Sequence, residues 1–266
     1  DIVMDSSLIN LLILRAGNET CRMAVGDNLL NNPLAADLMR LNKSFVVERD
    51  LASARAGYRA MTRTSQYIRH SLQEHVSVWI AQRQGRAKDG FDRTDPALLK
   101  MLLLAHRKQP DPMASLLNNG ALVPVSLSYE IDPCGPAKAR ELAAIDRNGH
   151  YAKGEQEDLH SMIQGLVGEK GRVHVHFNAP IGDDCNNVED LAKRLDQAIV
   201  GGIRVFSTNR YADSVLVGQT SEHSVGSKAM NILQSQLSDC ADFERPFLLQ
   251  QYANICVNRR ELGLDG

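Results

Sequence analysis

The strongest constraint on the fold is an alternation of short strand-like runs with helix-like segments. Runs with the apolar or alternating pattern of strands occur at residues 22–25, 44–47, 75–80, 121–129 and 172–177. Apolar runs or apolar residues at helical spacing occur at residues 6–14, 54–72, 96–103 and 188–199. Strands that alternate with helices favour a mostly parallel central sheet with helices on both faces. We therefore expect an α/β fold.

Two further features modify this expectation. Pro124 interrupts the strand-like run at residues 121–129, and because proline has no N–H we expect a sheet edge or a bulge there. After Arg204 the periodic pattern weakens, which is typical of a helical extension. We expect a first domain at residues 1–182 and a helical C-terminal extension at residues 183–266.

The composition argues against several classes of protein. The chain has 266 residues and a formal net charge of −2, which argues against a dedicated nucleic-acid binder. Its five cysteines are dispersed without a C-x-x-C pair, which favours a reducing compartment over a disulfide framework or a zinc site. No apolar run reaches the roughly 18 residues that span a bilayer. Since the chain opens on Asp1 inside a helix-like pattern, we expect a fragment with room for an anchoring segment upstream.

Four short segments occur in an order that resembles a known enzyme family. They are DIVMD at 1–5, NKSFVVER at 42–49, QRQGRAKDG at 82–90 and VPVSLSYE at 123–130. This order resembles the four blocks of the glycerol-3-phosphate and lysophosphatidate acyltransferases. Those blocks read H-x-x-x-x-D, F-I-x-R, E-G-G-R-S or E-G-T-R-S, and V-P-V/I-P-V. Tyr129-Glu130 is closer to the glycerol-3-phosphate branch, and the resemblance extends over roughly residues 1–180.

The resemblance implies a glycerophosphate acyltransferase-like fold and a direct acyl transfer. Acyl-CoA or acyl carrier protein would be the co-substrate, and the acceptor would be the hydroxyl of a glycerol phosphate or a lysophospholipid, with no metal or other cofactor. A histidine would take the proton of that hydroxyl while a carboxylate fixes the histidine tautomer. The family spacing places the histidine directly before Asp1 and makes Asp5 the orienting carboxylate. Asp1 is the second choice, because related sequences can read H-R-D.

The resemblance also implies a binding site for the phosphate of the acceptor. Arg49, Arg86 and Lys88 are the expected cations, since arginine offers a bidentate fork to phosphate. Gly85 and Gly90 would let the loop backbone approach a ligand closely.

The remaining candidate residues would line the substrate pocket. They are Phe45, Gln84, Val123, Pro124 and Tyr129. Gln84 stands where the family has glutamate, and its amide can form hydrogen bonds but cannot carry charge.

A lipid acceptor or product also implies a location and a set of partners. We expect a cytoplasmic enzyme that is peripheral to, or anchored at, the inner face of the cell membrane. Its expected partners are the acyl donor, the acceptor and the membrane surface, and not nucleic acid.

Simpler interpretations compete with these assignments. Asp5 precedes Ser6 and Ser7 and has the pattern of a helix N-cap. Arg49 and the charges at residues 83–88 are also typical of solvated strand ends and turns.

Five further side chains have structural explanations. His106 and Asp111 repeat the H-x-x-x-x-D spacing, but an intervening proline favours a solvated helix end. His174 and His176 share one face of a strand without an evident third metal ligand, so they are expected to be structural. Tyr129 has the amphipathic character of a packed side chain.

Two other functions have to be weighed against acyl transfer. Gln84 favours, as the alternative, a degenerate lipid-binding or regulatory relative without catalysis, whereas the expected truncation explains why the histidine is missing. An unrelated α/β hydrolase has no support, because the sequence contains no G-x-S-x-G elbow.

Overall fold

The computed structural model describes most of the chain. The described residues are 2–26, 37, 41, 43–48, 52–82, 88–120, 122–154, 157–219 and 226–264. Five of the candidate site residues lie outside them, namely Asp1, Arg49, Gln84, Gly85 and Arg86.

Helices predominate in the described part of the chain. They are α1 (Ile2–Arg15), α2 (Ala54–Gln73), α3 (Pro96–Leu103), α4 (Pro112–Gly120), α5 (Gly135–Asn148), α6 (Glu157–Val167), α7 (Val188–Gly202), α8 (Ser207–Leu216), α9 (Lys228–Asp239) and α10 (Arg245–Glu261). The strands are β1 (Arg22–Gly26), β2 (Ser44–Val47), β3 (Val78–Trp79), β4 (Val125–Tyr129) and β5 (Val173–Phe177).

Three parallel strands form the first sheet, in the order β2–β1–β3. Met23 of β1 is in register with Ser44 on one side and with Trp79 on the other. Helix α2 connects β2 to β3, as two parallel strands of one sheet require a crossover connection. Met23 and Val25 of the central strand are buried. The mixed α/β class predicted from the sequence is confirmed.

Strand β3 is shorter than the run predicted at residues 75–80. His75 has a φ of 60°, in the left-handed region, where the chain leaves α2 and cannot yet be extended. The N–H of Val76 then donates to the carbonyl of Ser71 at 2.9 Å. The end of the helix therefore uses residues that the alternating pattern assigned to the strand.

Strands β4 and β5 form a separate antiparallel pair, in which Val125 lies opposite Phe177. This arrangement differs from the single, mostly parallel sheet expected from the sequence. Pro124, directly before β4, has no N–H for a sheet ladder, and its carbonyl accepts from the N–H of Asn178 at 2.9 Å. In the described part of the chain β4 pairs with one strand only, as expected for a strand that follows a proline at an edge.

The first hydrophobic core lies among α2, α3, α4 and α7. Its most buried leucines are at most 6% exposed and comprise Leu99, Leu102, Leu116, Leu117, Leu191 and Leu195. Because Leu191 and Leu195 come from α7, this core contains residues from both sides of the expected boundary after residue 182.

A second core joins α5 to the last three helices. Ile131, Ala139, Ala212, Leu233 and Leu248 are each 0% exposed within it. Every element that the structure describes after residue 182 is helical, so the predicted helical character of this region is confirmed.

Helix α1 begins at Ile2, earlier than the interpretation of Asp5 as an N-cap requires. Asp5 lies in the first turn of this helix, where a carboxylate interacts favourably with the helix dipole. The N-cap interpretation is therefore wrong.

Candidate active site

A cavity of about 720 Å³ is lined by residues of α1, α3, α7, α10, β4 and the segment around β3. Much of its wall is apolar and includes Ile9, Leu99, Leu102, Leu195 and Ile199. The charged residues of the lining are Asp5, Glu19, Lys88, Asp92, Asp132, Lys138 and Lys170. Pockets for small molecules commonly measure about 300–1,000 Å³ and combine an apolar wall with a few polar groups. The cavity has both properties.

Residues from three of the four family-like segments line this cavity. Asp5 comes from the first segment, Lys88 from the third, and Val123, Pro124 and Tyr129 from the fourth. Gly90 of the third segment lines it too, so the structure brings together six of the seven candidate residues that it describes.

Phe45 is the seventh, and it lies away from this cavity. It borders a smaller pocket of about 170 Å³, and its ring centroid is 4.7 Å from that of Tyr67. The reason is the strand order, because β2 lies on the far side of β1 from β3, and β3 is the strand of this sheet that lines the larger cavity.

Tyr129 and Asp5 form the most direct contact between two of these segments. Val125, Leu127 and Tyr129 alternate along β4 and line the cavity. The Tyr129 hydroxyl donates to Oδ1 of Asp5 at 2.5 Å. Burial and the nearby carboxylates of Asp5 and Asp132 raise the pKa of Tyr129 far above its ordinary value. The phenol is therefore a neutral hydrogen-bond donor at physiological pH.

Asp132 and Lys138 form a second polar pair in the cavity wall. The Lys138 ammonium lies 2.5 Å from Oδ2 of Asp132, and the Cys134 N–H donates to Oδ1 at 2.8 Å. Burial alone would raise the pKa of Asp132, but Lys138 and the Cys134 N–H outweigh it and hold the pKa below its ordinary value. The backbone N–H of Asp132 donates to the Tyr252 hydroxyl at 2.9 Å. An ionised carboxylate is thus fixed beside Tyr129.

Two further lysines line the cavity. Lys88 forms an ion pair with Glu141 of α5, whose side chain is largely buried. Lys170 donates to the carbonyls of Leu166 and Gly168, at 3.1 and 2.9 Å, at the end of α6. With Lys138, the cavity wall contains three ammonium groups, and each is oriented by a hydrogen-bond or ion-pair partner. Because an ammonium has three donors, each can also bind a ligand.

Helix α10 holds the end of the third segment against the cavity. Asn254 donates to the carbonyl of Asp89 at 2.6 Å, and Asn258 donates to the carbonyl of Asp92 at 3.1 Å. Gly90 has a φ of 79°, and a Cβ there would lie 2.1 Å from the carbonyl oxygen of Gln251. The close approach that this glycine permits is thus to the backbone of α10.

The second H-x-x-x-x-D spacing has a structural role. His106 is 5% exposed, and its Nδ1 lies 2.9 Å from the Ser115 hydroxyl. Asp111 accepts from the N–H of Ala114 at 2.9 Å, at the start of α4. Neither residue lines the cavity.

His174 and His176 stack with ring centroids 6.2 Å apart on β5. Among the residues that the structure describes, no group of three side chains is arranged to bind a metal ion.

No protein-family model matches this chain, and no curated protein gives a significant match. No helix in the described ranges is long and apolar enough to cross a membrane. The chemistry of the cavity therefore has to be derived from its own geometry.

That geometry supports three chemical tasks. Asp5 can accept a hydrogen bond from an imidazole while Tyr129 donates to it, because a carboxylate has about four acceptor positions. Lys170, whose partners are carbonyls and not a carboxylate, can balance the charge of an anion. The apolar wall can bury hydrocarbon.

Asp132, Lys138 and Lys170 are cavity residues that the sequence analysis missed. They belong to none of the four segments, and a charged residue without a motif has no sequence signal that separates it from a surface charge.

Proposed function

We propose that this protein is an O-acyltransferase of glycerophospholipid synthesis and that the cavity is its active site. It moves a fatty acyl group from acyl-CoA or acyl carrier protein to a hydroxyl of a glycerol phosphate or a lysophospholipid. The observation that supports this best is that Asp5, Lys88 and Tyr129, from three family-like segments, line one cavity. Asp5 and Tyr129 are 124 positions apart, so chain proximity does not explain their contact.

The apolar part of the cavity suits the acyl chain of the donor. Ile9, Leu99 and Leu195 supply hydrocarbon surface. Each methylene group that is buried contributes about 0.8 kcal/mol. The lining thus favours an acyl thioester over a small polar substrate.

The proposed reaction needs a general base beside Asp5. In the H-x-x-x-x-D spacing this base is a histidine directly before Asp1, and Asp5 holds its tautomer. The histidine takes the proton of the acceptor hydroxyl, whose oxygen forms a bond to the thioester carbonyl carbon. The tetrahedral intermediate then collapses, the carbon–sulfur bond breaks, and the thiolate receives the proton from the histidine. The products are an acyl ester and a free thiol.

The phosphate of the acceptor needs cations in the same place. Lys88, Lys138 and Lys170 supply ammonium groups in the cavity wall. Arg49 and Arg86 remain predicted phosphate ligands, because they lie outside the described residues. We further propose that the protein meets the inner face of the cell membrane, where a lipid acceptor or product would be located.

Restoring the histidine tests this function. Two chains are compared, with an N-terminal extension that ends in histidine or in alanine directly before Asp1. With an acyl-CoA and glycerol 3-phosphate, the histidine chain should release free thiol about 10²–10⁴-fold faster, because this is the usual contribution of general-base catalysis. Mass spectrometry should detect the acyl ester, and thiol release should depend on the acceptor.

The same comparison is made with lysophosphatidate and with lysophospholipids as acceptors. Equal rates in the two chains with every acceptor would contradict the proposal. Binding of a fluorescent acyl lipid without turnover would favour the lipid-binding alternative.

A further inference from the structure

The hydroxyl of Tyr129 links the end of β4 to the first turn of α1. Its hydrogen bond to Asp5 connects the fourth family-like segment to the first. The family resemblance places Asp5 beside the general base and gives Tyr129 only a place in the pocket wall. The contact raises the question of what the hydroxyl does for the carboxylate.

Strand β4 is fixed by hydrogen bonds of its two serines. The Ser126 hydroxyl donates to the carbonyl of Ile199 at 2.6 Å, and the Ser128 hydroxyl accepts from the N–H of Arg204 at 2.9 Å. Both serines are at most 3% exposed. The strand that presents Tyr129 is thus bonded to α7 and to the segment after it.

The residue after Tyr129 is fixed as well. Glu130 is 5% exposed, and its carboxylate accepts from Nη2 and Nε of Arg172 at 2.7 and 3.0 Å. Tyr129 itself is paired with Val173 of β5. The phenol is therefore presented from a position that is bonded on several sides.

Asp5 is presented differently. It lies in the first turn of α1, and the same helix exposes Leu11 and Leu14 by 42% and 60%. An aspartate side chain has two rotatable bonds, so a carboxylate near the start of a helix needs external partners to keep one orientation. Tyr129 is such a partner, and it belongs to the better anchored element.

We propose that Tyr129 is a positioning residue, whose hydroxyl holds the Asp5 carboxylate in the orientation in which it receives the N–H of the catalytic histidine. This inference rests on the proposed acyltransfer. The phenol stays protonated throughout the working pH range and donates its proton to the hydrogen bond with Asp5. The phenol and the imidazole both form hydrogen bonds with the same carboxylate. The hydrogen bond from Tyr129 therefore limits how strongly Asp5 stabilises the protonated histidine.

Removal of the hydroxyl should therefore have two effects. The carboxylate loses one of the hydrogen bonds that fix its orientation, so kcat falls while the KM of the acceptor stays nearly constant. The carboxylate also keeps more charge for the imidazolium, so the pKa of the histidine rises and the acid limb of the pH–rate profile moves to higher pH.

Tyr129→Phe in the histidine-extended chain tests the inference. We expect kcat to fall about ten- to a hundredfold, the usual effect of losing one hydrogen bond to a charged group. The acid limb of kcat/KM should shift upward.

Tyr151→Phe is the matched control. Its hydroxyl lies 2.9 Å from the Glu157 carboxylate, and Tyr151 does not line the cavity. This variant should keep both kcat and the pH profile.

The outcomes separate the inference from the function beneath it. If the extended chain is active and Tyr129→Phe keeps its kcat and its acid limb, the positioning role is wrong and the acyltransfer stands. A lower melting temperature with unchanged kinetics of the folded protein would equally overturn it, because a packing role predicts that result. If the extended chain has no acyltransferase activity while a thermal melt shows that it is folded, the proposed function fails and the role of Tyr129 in it fails too.

Discussion

Lys138 stabilises an ionised carboxylate at the edge of the cavity. Because the pKa of Asp132 is lowered in the folded state, this stabilisation is complete above the unfolded pKa of about 3.9 and is lost as the pH falls through the folded value. Lys138→Ala should lower the free energy of unfolding by about 1–3 kcal/mol at pH 7. The difference from the unsubstituted chain should shrink below about pH 4. Urea denaturation at several pH values measures both effects.

Lys228→Ala is the control for this experiment. The Lys228 side chain is 77% exposed, and its ion pair with Glu169 is a surface pair of small net energy. A Lys138→Ala effect that is no larger than the Lys228→Ala effect, or that grows as the pH falls, would contradict the assignment.

Single residues of the site were predicted better than their contacts. Asp5, Lys88 and Tyr129 were identifiable because they belong to segments with a recognisable order. The hydrogen bond between Asp5 and Tyr129 was not predictable, since no local pattern relates residues 124 positions apart. Asp132 and Lys138 were missed because the sequence does not show which charged residues lie in the wall of a cavity and form a pair there.

Among the structural elements, the end of the third segment depends on contact with α10. Gly90→Ala should destabilise the protein, since the new Cβ would lie 2.1 Å from the Gln251 carbonyl oxygen and the backbone has to move. Gly17→Ala is the matched control, because Gly17 has a φ of 80° and open space around the added Cβ. We expect a loss of about 1–2 kcal/mol for Gly17→Ala and a further 1–3 kcal/mol, roughly, for Gly90→Ala. Thermal and urea unfolding would show this difference, and equal losses would contradict the contact.

Some elements were predicted from local sequence signals, and others were missed. Strand β2 and helix α3 match their predicted ranges, because an apolar run and a proline at the first helical turn mark them. Helices α4, α5 and α6 were not predicted. For α5 the signals were present, namely Pro136 in its first turn and Gly149 at its C-cap with a φ of 76°.

At the scale of the whole molecule, the cavity contacts both hydrophobic cores. Leu99 and Leu195 belong to the first core and Tyr252 to the second, and all three line the cavity. The α/β class was predictable from periodicity, and the helical C-terminal region was predicted from the weaker pattern after Arg204. The division into two sheets was not predictable, because the alternating pattern of β4 does not identify the strand with which β4 pairs.

The kinetic effect of Asp5→Asn in the histidine-extended chain tests the central claim most directly. Asparagine keeps the size of the side chain but cannot hold the tautomer and charge that the histidine needs, so kcat should fall about 10²–10⁴-fold. Asp239→Asn, at an exposed position at the end of α9, should leave kcat unchanged. If Asp5→Asn transfers acyl groups as fast as the unsubstituted extended chain, Asp5 does not orient the base and the cavity is not the active site that we propose.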